Sequence, residues 1–149
     1  MYDVKLNMPS PWRKESETYL DESGAEITHV EAGLYDEKRK EDDAFVDIYV
    51  GDMPDDTTAE DQAFSNYADM VGFSEDDPAD FNPIEKLMFN GRKAYGFQAL
   101  CENDSPMMFL SVEIRHGVLA IICVAAADTD KLADAFSAVE KGLRVSSAQ

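Results

Sequence analysis

Residues 107–127 read MMFLSVEIRHGVLAIICVAAA. The pair His116–Gly117 interrupts two apolar runs and has the composition of a tight hairpin turn. The run before it, from about Met107 to Arg115, is expected as one strand, and Val118 to Ala126 as its partner. The stretch VLAIICVAAA, 118–127, is apolar at both parities. A strand with one wet face alternates, whereas one covered on both faces does not. It is therefore expected at the centre of a sheet; a short buried helix is the alternative for such a run.

The neighbouring segments extend that sheet. Upstream, Tyr95, Phe97, Ala99 and Cys101 share one strand face, and Asn90–Gly91 reads as another hairpin turn. Gly96 is expected to leave room for a packed aromatic or to mark a bulge. Downstream, Asp128 or Thr129 can cap a helix whose apolar stripe is Leu132, Ala135, Phe136, Val139 and Leu143. The last four residues, 146–149, are expected to fray. Near the N-terminus Tyr2, Val4 and Leu6 alternate as a strand until Pro9 and Pro11. Ser16–Leu20 and Ala25–Tyr35 form a hairpin around Asp21, Glu22, Ser23 and Gly24. DEKRKEDD, 36–43, reads as a charged loop and Ala44–Val50 as a strand. Thr57 and Glu60 have capping-box spacing for a helix carrying Ala63, Phe64, Tyr67, Ala68 and Val71, with Gly72 as its left-handed stop. Strands followed by helices in this order predict an α+β fold, an antiparallel β-sheet with flanking helices.

The chain has 149 residues, which suits one domain, expected over 1–145. At this size roughly 68–70% of the unfolded surface is buried, so no disulfide or metal is needed as a staple. Its 31 acids against 13 bases give a formal net charge of −18. That field opposes nucleic acid and anionic membrane surfaces and favours cations and basic proteins. No apolar run reaches the length of a membrane span, and the N-terminus lacks the pattern of a secretory signal. The expected location is the cytoplasm, or outside it if a signal has been removed.

No catalytic signature emerges. A calcium loop starting at Asp76 would place Pro78 at a ligand position and Phe81 where glycine is needed; one starting at Asp128 meets Leu132 and Ala133. Two cysteines and two histidines without paired spacing make no zinc motif. GRKAYGFQ, 91–98, has P-loop glycines, but Phe97 and Gln98 replace the lysine and hydroxyl that contact phosphate and magnesium. Cys101 and Cys123 read as reduced core thiols, and His29 and His116 as structural residues. No cofactor is expected.

SEDDPADFNP, 74–83, holds four carboxylates and two prolines. It reads as a solvated crossover from helix to sheet, pinned by Phe81 and Ile84. Its other reading is a docking strip in which Asp76, Asp77 and Asp80 join Asp52, Asp55 and Asp56 in one negative rim for a basic partner. Trp12, the single tryptophan, is either a core anchor or a partly exposed aromatic at a binding groove.

The order of parts resembles the PsbP-like superfamily. The likeness rests on a first strand running into MPSPW with Pro11–Trp12, then FNGRKAYGFQALCEND, MMFLSVEIRHG, VLAIICVAAA and a closing amphipathic helix. Members of that superfamily include an extrinsic photosystem II protein, a nuclear factor that binds the GTPase Ran, and small bacterial proteins. The resemblance implies an α/β/α sandwich and non-catalytic binding of protein partners; no functional residue carries over. The expected function is thus a binding domain engaging a basic protein through its acidic surface. The alternative is a small-molecule or cation binder with a pocket between sheet and helix near Trp12.

Overall fold

The computed structural model describes residues 2–38, 40–53, 57–101 and 103–147. The strands are β1 (Tyr2–Leu6), β2 (Arg13–Leu20), β3 (Glu26–Asp36), β4 (Glu41–Asp52), β5 (Glu85–Phe89), β6 (Arg92–Leu100), β7 (Pro106–Arg115), β8 (Val118–Ala126) and β9 (Leu143–Ser147). Helix α1 spans Ala59–Met70 and α2 spans Thr129–Gly142. The fold is α+β, with antiparallel pairing throughout. Seven strands form one sheet in the order β2-β3-β4-β8-β7-β6-β5, and β1 pairs with β9 in a second.

The doubly apolar run sits where its composition places it. β8 is the fourth of the seven strands, between β4 and β7. Its even residues, Ala120, Ile122, Val124 and Ala126, join Val46, Ile48, Val50, Leu110 and Val112 in the larger core. Leu132, Ala135 and Val139 of α2 close that face, together with Leu6 of β1 and Leu143 of β9. The odd parity faces the other way. There Phe97, Phe109 and Met107 pack with Ala63 and Tyr67 of α1 in a smaller cluster. Ring contacts continue from Phe97 to Tyr67 (5.2 Å), from Tyr67 to Phe73 (5.2 Å) and from Phe73 to Phe81 (6.4 Å). These rings tether the 72–84 crossover, as expected for Phe81.

Several boundaries differ from expectation. The capping box of α1 is Thr58 with Asp61, one residue after the Thr57–Glu60 pair of equal spacing. The charged stretch 36–43 is shorter as a loop than expected: β3 runs through Asp36 and β4 starts at Glu41. An additional strand, β5, precedes the Asn90–Gly91 turn, whose φ angles of 51° and 76° suit a primed hairpin turn. α2 ends at Gly142, so Leu143 begins β9 instead of closing the helical stripe. Ser146, expected in a frayed tail, pairs with Asp3. Gly96 makes room for the Phe109 carbonyl and the Leu110 side chain, not for an aromatic ring.

Candidate functional site

Antiparallel pairing aligns residues into rungs across the sheet, all pointing to one face. One rung runs Phe97, Phe109, Cys123, Asp47, Glu31, Glu15 from β6 to β2. The next runs Tyr95, Ser111, Ile121, Tyr49, His29, Glu17. The first turns from apolar to charged at Asp47 of β4, and the second becomes polar at Tyr49 and His29 and acidic at Glu17 of β2. The reason is coverage: α1 packs mainly on β6 and β7 of this face, at the far end from the exposed edge strand β2. The sheet face is therefore half core and half acidic surface.

His29 is the centre of the acidic half. Its side chain is only 10% exposed. Nε2 lies 2.8 Å from Asp47 Oδ1 and 3.5 Å from Glu31 Oε1, and Nδ1 lies 3.6 Å from Glu17 Oε1. The Tyr49 ring stacks on it with centroids 4.1 Å apart and planes 2° from parallel. Burial, then Asp47, Tyr19, Glu31 and Glu17, hold the Tyr49 phenol above its ordinary range. Burial, followed by Asp47 and Cys101, pushes the Cys123 thiol up to about 11. Both thiols are free, and a raised pKa opposes nucleophilic use of Cys123.

The edge of this half-face is β2, all of whose side chains are exposed. Tyr19 and Tyr35 are each 41% exposed. Arg13 stands at one end, its guanidinium 5.1 Å from the Tyr35 ring centroid and 3.4 Å from Asp42 Oδ1. The charges of RKESE on this edge discourage pairing with another copy.

The residues singled out from the sequence fall elsewhere. Asp52 closes β4 opposite Val118. Asp55 and Asp56 lie outside the described residues. Asp76, Asp77 and Asp80 sit in the turns of the crossover, where Asp77 Oδ2 accepts from Ser74 N at 2.7 Å. Trp12 is half-buried and packs against the larger core.

Two cavities lie on the opposite side of the sheet. A cavity of about 430 Å³ is bounded by Phe89, Val112, Leu143 and Val145, with Arg92 and Arg144 at its lining. A wider groove of about 600 Å³ separates Met8 and Pro9 from Asp134 and Lys141 of α2; Trp12 is not part of its lining. No helix among the described residues is long and apolar enough to cross a membrane. No family model, no curated protein and no solved structure matches the chain.

Proposed function

We propose that this chain is a non-catalytic binding domain whose acidic half-face takes a basic polypeptide segment. The observation that carries the reading is the pair of neighbouring rungs that bring Asp47, Glu31, Glu15 and Glu17 together and run onto the exposed edge strand β2. Glu15, Glu17, Glu31 and Asp47 offer carboxylates to lysine or arginine, and Tyr19 adds an exposed ring for cation–π contact. Arg13 over Tyr35 beside Asp42 is the same chemistry within the chain. Asp52, Asp76, Asp77 and Asp80 form a peripheral acidic set that steers encounter over distances of about 10 Å at 0.1 M salt. The resemblance to PsbP-like proteins and their α/β/α sandwich belongs to the same proposal; two helices on opposite sheet faces support it.

The test compares two variants of this chain against an arginine-rich peptide. Glu15→Gln with Glu17→Gln should weaken binding and flatten its salt dependence. Asp76→Asn with Asp77→Asn and Asp80→Asn should slow association with a smaller effect on dissociation. Equal dissociation rates for the two variants would contradict the assignment of the face.

The cavity of about 430 Å³ supports a second reading, a site for a small amphiphilic anion. Its size falls in the range of ligand pockets, and two of the chain's 13 basic residues, Arg92 and Arg144, line it beside Phe89, Val112 and Leu143. Binding of a medium-chain fatty acid, lost in Arg92→Gln with Arg144→Gln, would support it; unchanged binding would exclude it.

A further inference from the structure

The half-face also holds His29, a donor that docking does not use, among carboxylates that a basic segment and a cation would share. We propose that His29, Glu31 and Asp47 form a site for a first-row divalent cation of the zinc type, with Glu17 fixing the imidazole from its far nitrogen. One ligand atom from each of the three residues lies within 4.8 Å of the other two. Tetrahedral ligands at about 2.1 Å from a zinc ion stand roughly 3–3.5 Å apart. The Nε2–Glu31 separation of 3.5 Å already has that span, and the Nε2–Asp47 contact of 2.8 Å must open slightly.

Two further features distinguish this set from a chance group of surface acids. First, a metal-bound imidazole characteristically directs its other nitrogen to a carboxylate, which fixes the tautomer and raises ligand basicity. Glu17 Oε1 stands 3.6 Å from Nδ1, on the side away from Asp47 and Glu31, and a small side-chain shift brings it into hydrogen-bond reach when the ion binds. Second, the ring's orientation is set before any ion arrives, because the Tyr49 ring lies parallel against it. The donor set also selects the ion class. One imidazole and two carboxylates suit zinc and its neighbours, whereas calcium and magnesium favour all-oxygen shells. Three protein ligands leave an outward position for water, as in zinc sites that exchange ligands. Asp47 and Glu31 side chains are 29% and 44% exposed, so an ion can enter from solvent.

The competing account is that His29 is a buried imidazole satisfied by its carboxylates, with no role for metal. Titration of the full chain with Zn²⁺ by calorimetry, together with ¹⁵N spectra of the imidazoles, separates the two. The chain has two histidines, so their ring signals are readily assigned. The expected result is one equivalent of Zn²⁺ bound, with a displaced His29 Nε2 resonance and a retained Nδ1 proton. His29→Gln should abolish that stoichiometric binding, and Glu17→Gln should weaken it by about 10- to 100-fold while keeping one site. Asp76→Asn with Asp77→Asn should leave it unchanged. Binding that survives His29→Gln, or spectra of the unaltered chain in which His29 does not respond to Zn²⁺, would overturn the proposal. The spectra decide the matter even if His29→Gln fails to fold.

Discussion

His29 of β3 and Asp47 of β4 meet at 2.8 Å although neither is the other's direct cross-strand partner. Their contact is diagonal: His29 faces Tyr49, and Asp47 faces Glu31. Diagonal neighbours lie farther apart at Cβ than direct ones, so both side chains lean toward each other. This joins two acidic rungs into one cluster and buries an imidazole on an otherwise wet half-face. Asp47→Ala should therefore destabilise the fold by about 1–3 kcal/mol, since it leaves a buried polar group without its closest partner. Glu31→Gln should cost less, about 0–1 kcal/mol, because that carboxylate is half-exposed and screened. Urea unfolding of the two variants checks the order.

The pH dependence on the alkaline side has a defined sign. Cys123 is raised to about 11 from an ordinary 9.0, so between those values the unfolded chain loses a proton that the folded chain keeps. Stability is complete below pH 9 and falls as pH rises toward 11. The raised phenol of Tyr49 acts in the same direction above pH 10. The Cys123 contribution is about 2–3 kcal/mol at most. Cys123→Ala should flatten the loss between pH 9 and 11 in chemical denaturation, and an unchanged slope would contradict the assignment.

Ser111 is fully buried on the odd-parity face, and its hydroxyl has no hydrogen-bond partner among the described residues. Removing an unsatisfied buried hydroxyl costs little. Ser111→Ala should leave stability within about 0.5 kcal/mol or raise it by about 1 kcal/mol. A loss above about 1.5 kcal/mol would reveal a partner such as an ordered water.

Gly142 ends α2 where the chain of Asn7 crosses it, and Asn7 N donates to Gly142 O at 2.9 Å. A Cβ at Gly142 would overlap the Asn7 backbone. Alanine usually stabilises a helical position relative to glycine, by about 0.5–1 kcal/mol. Here Gly142→Ala should destabilise, by about 1–3 kcal/mol, because the overlap is with backbone that cannot rotate away. Thermal unfolding reads the sign directly.

Much of this fold is legible in local sequence. VLAIICVAAA identifies the central strand because cover on both faces, complete on one and partial on the other, leaves no polar alternation. Asn90–Gly91, Gly117 and Gly72 mark their turns because positive φ favours these residues. β9 is not legible: Leu143 continues the helical spacing of Val139, and only pairing with β1 makes it a strand. β5 is short and largely exposed, so EKLMF carries little pattern. The His29 cluster is not legible for a related reason. Its members, at 17, 29, 31, 47 and 49, come from three strands, and only sheet register brings them together. The signal that could have found them is period-two spacing of His29 with Glu31 and of Asp47 with Tyr49, in strands expected to be neighbours. The acidic crossover is conspicuous by density of charge, yet its Asp77 carboxylate closes its own turn.

The most direct test of the central claim is a titration of the ¹⁵N-labelled chain with an arginine-rich peptide, repeated at low and moderate salt. At moderate salt the perturbed amides should concentrate in 15–19, 29–31 and 45–49, on β2, β3 and β4. Perturbations confined to 74–83, or spread evenly over all acidic surfaces, would contradict it.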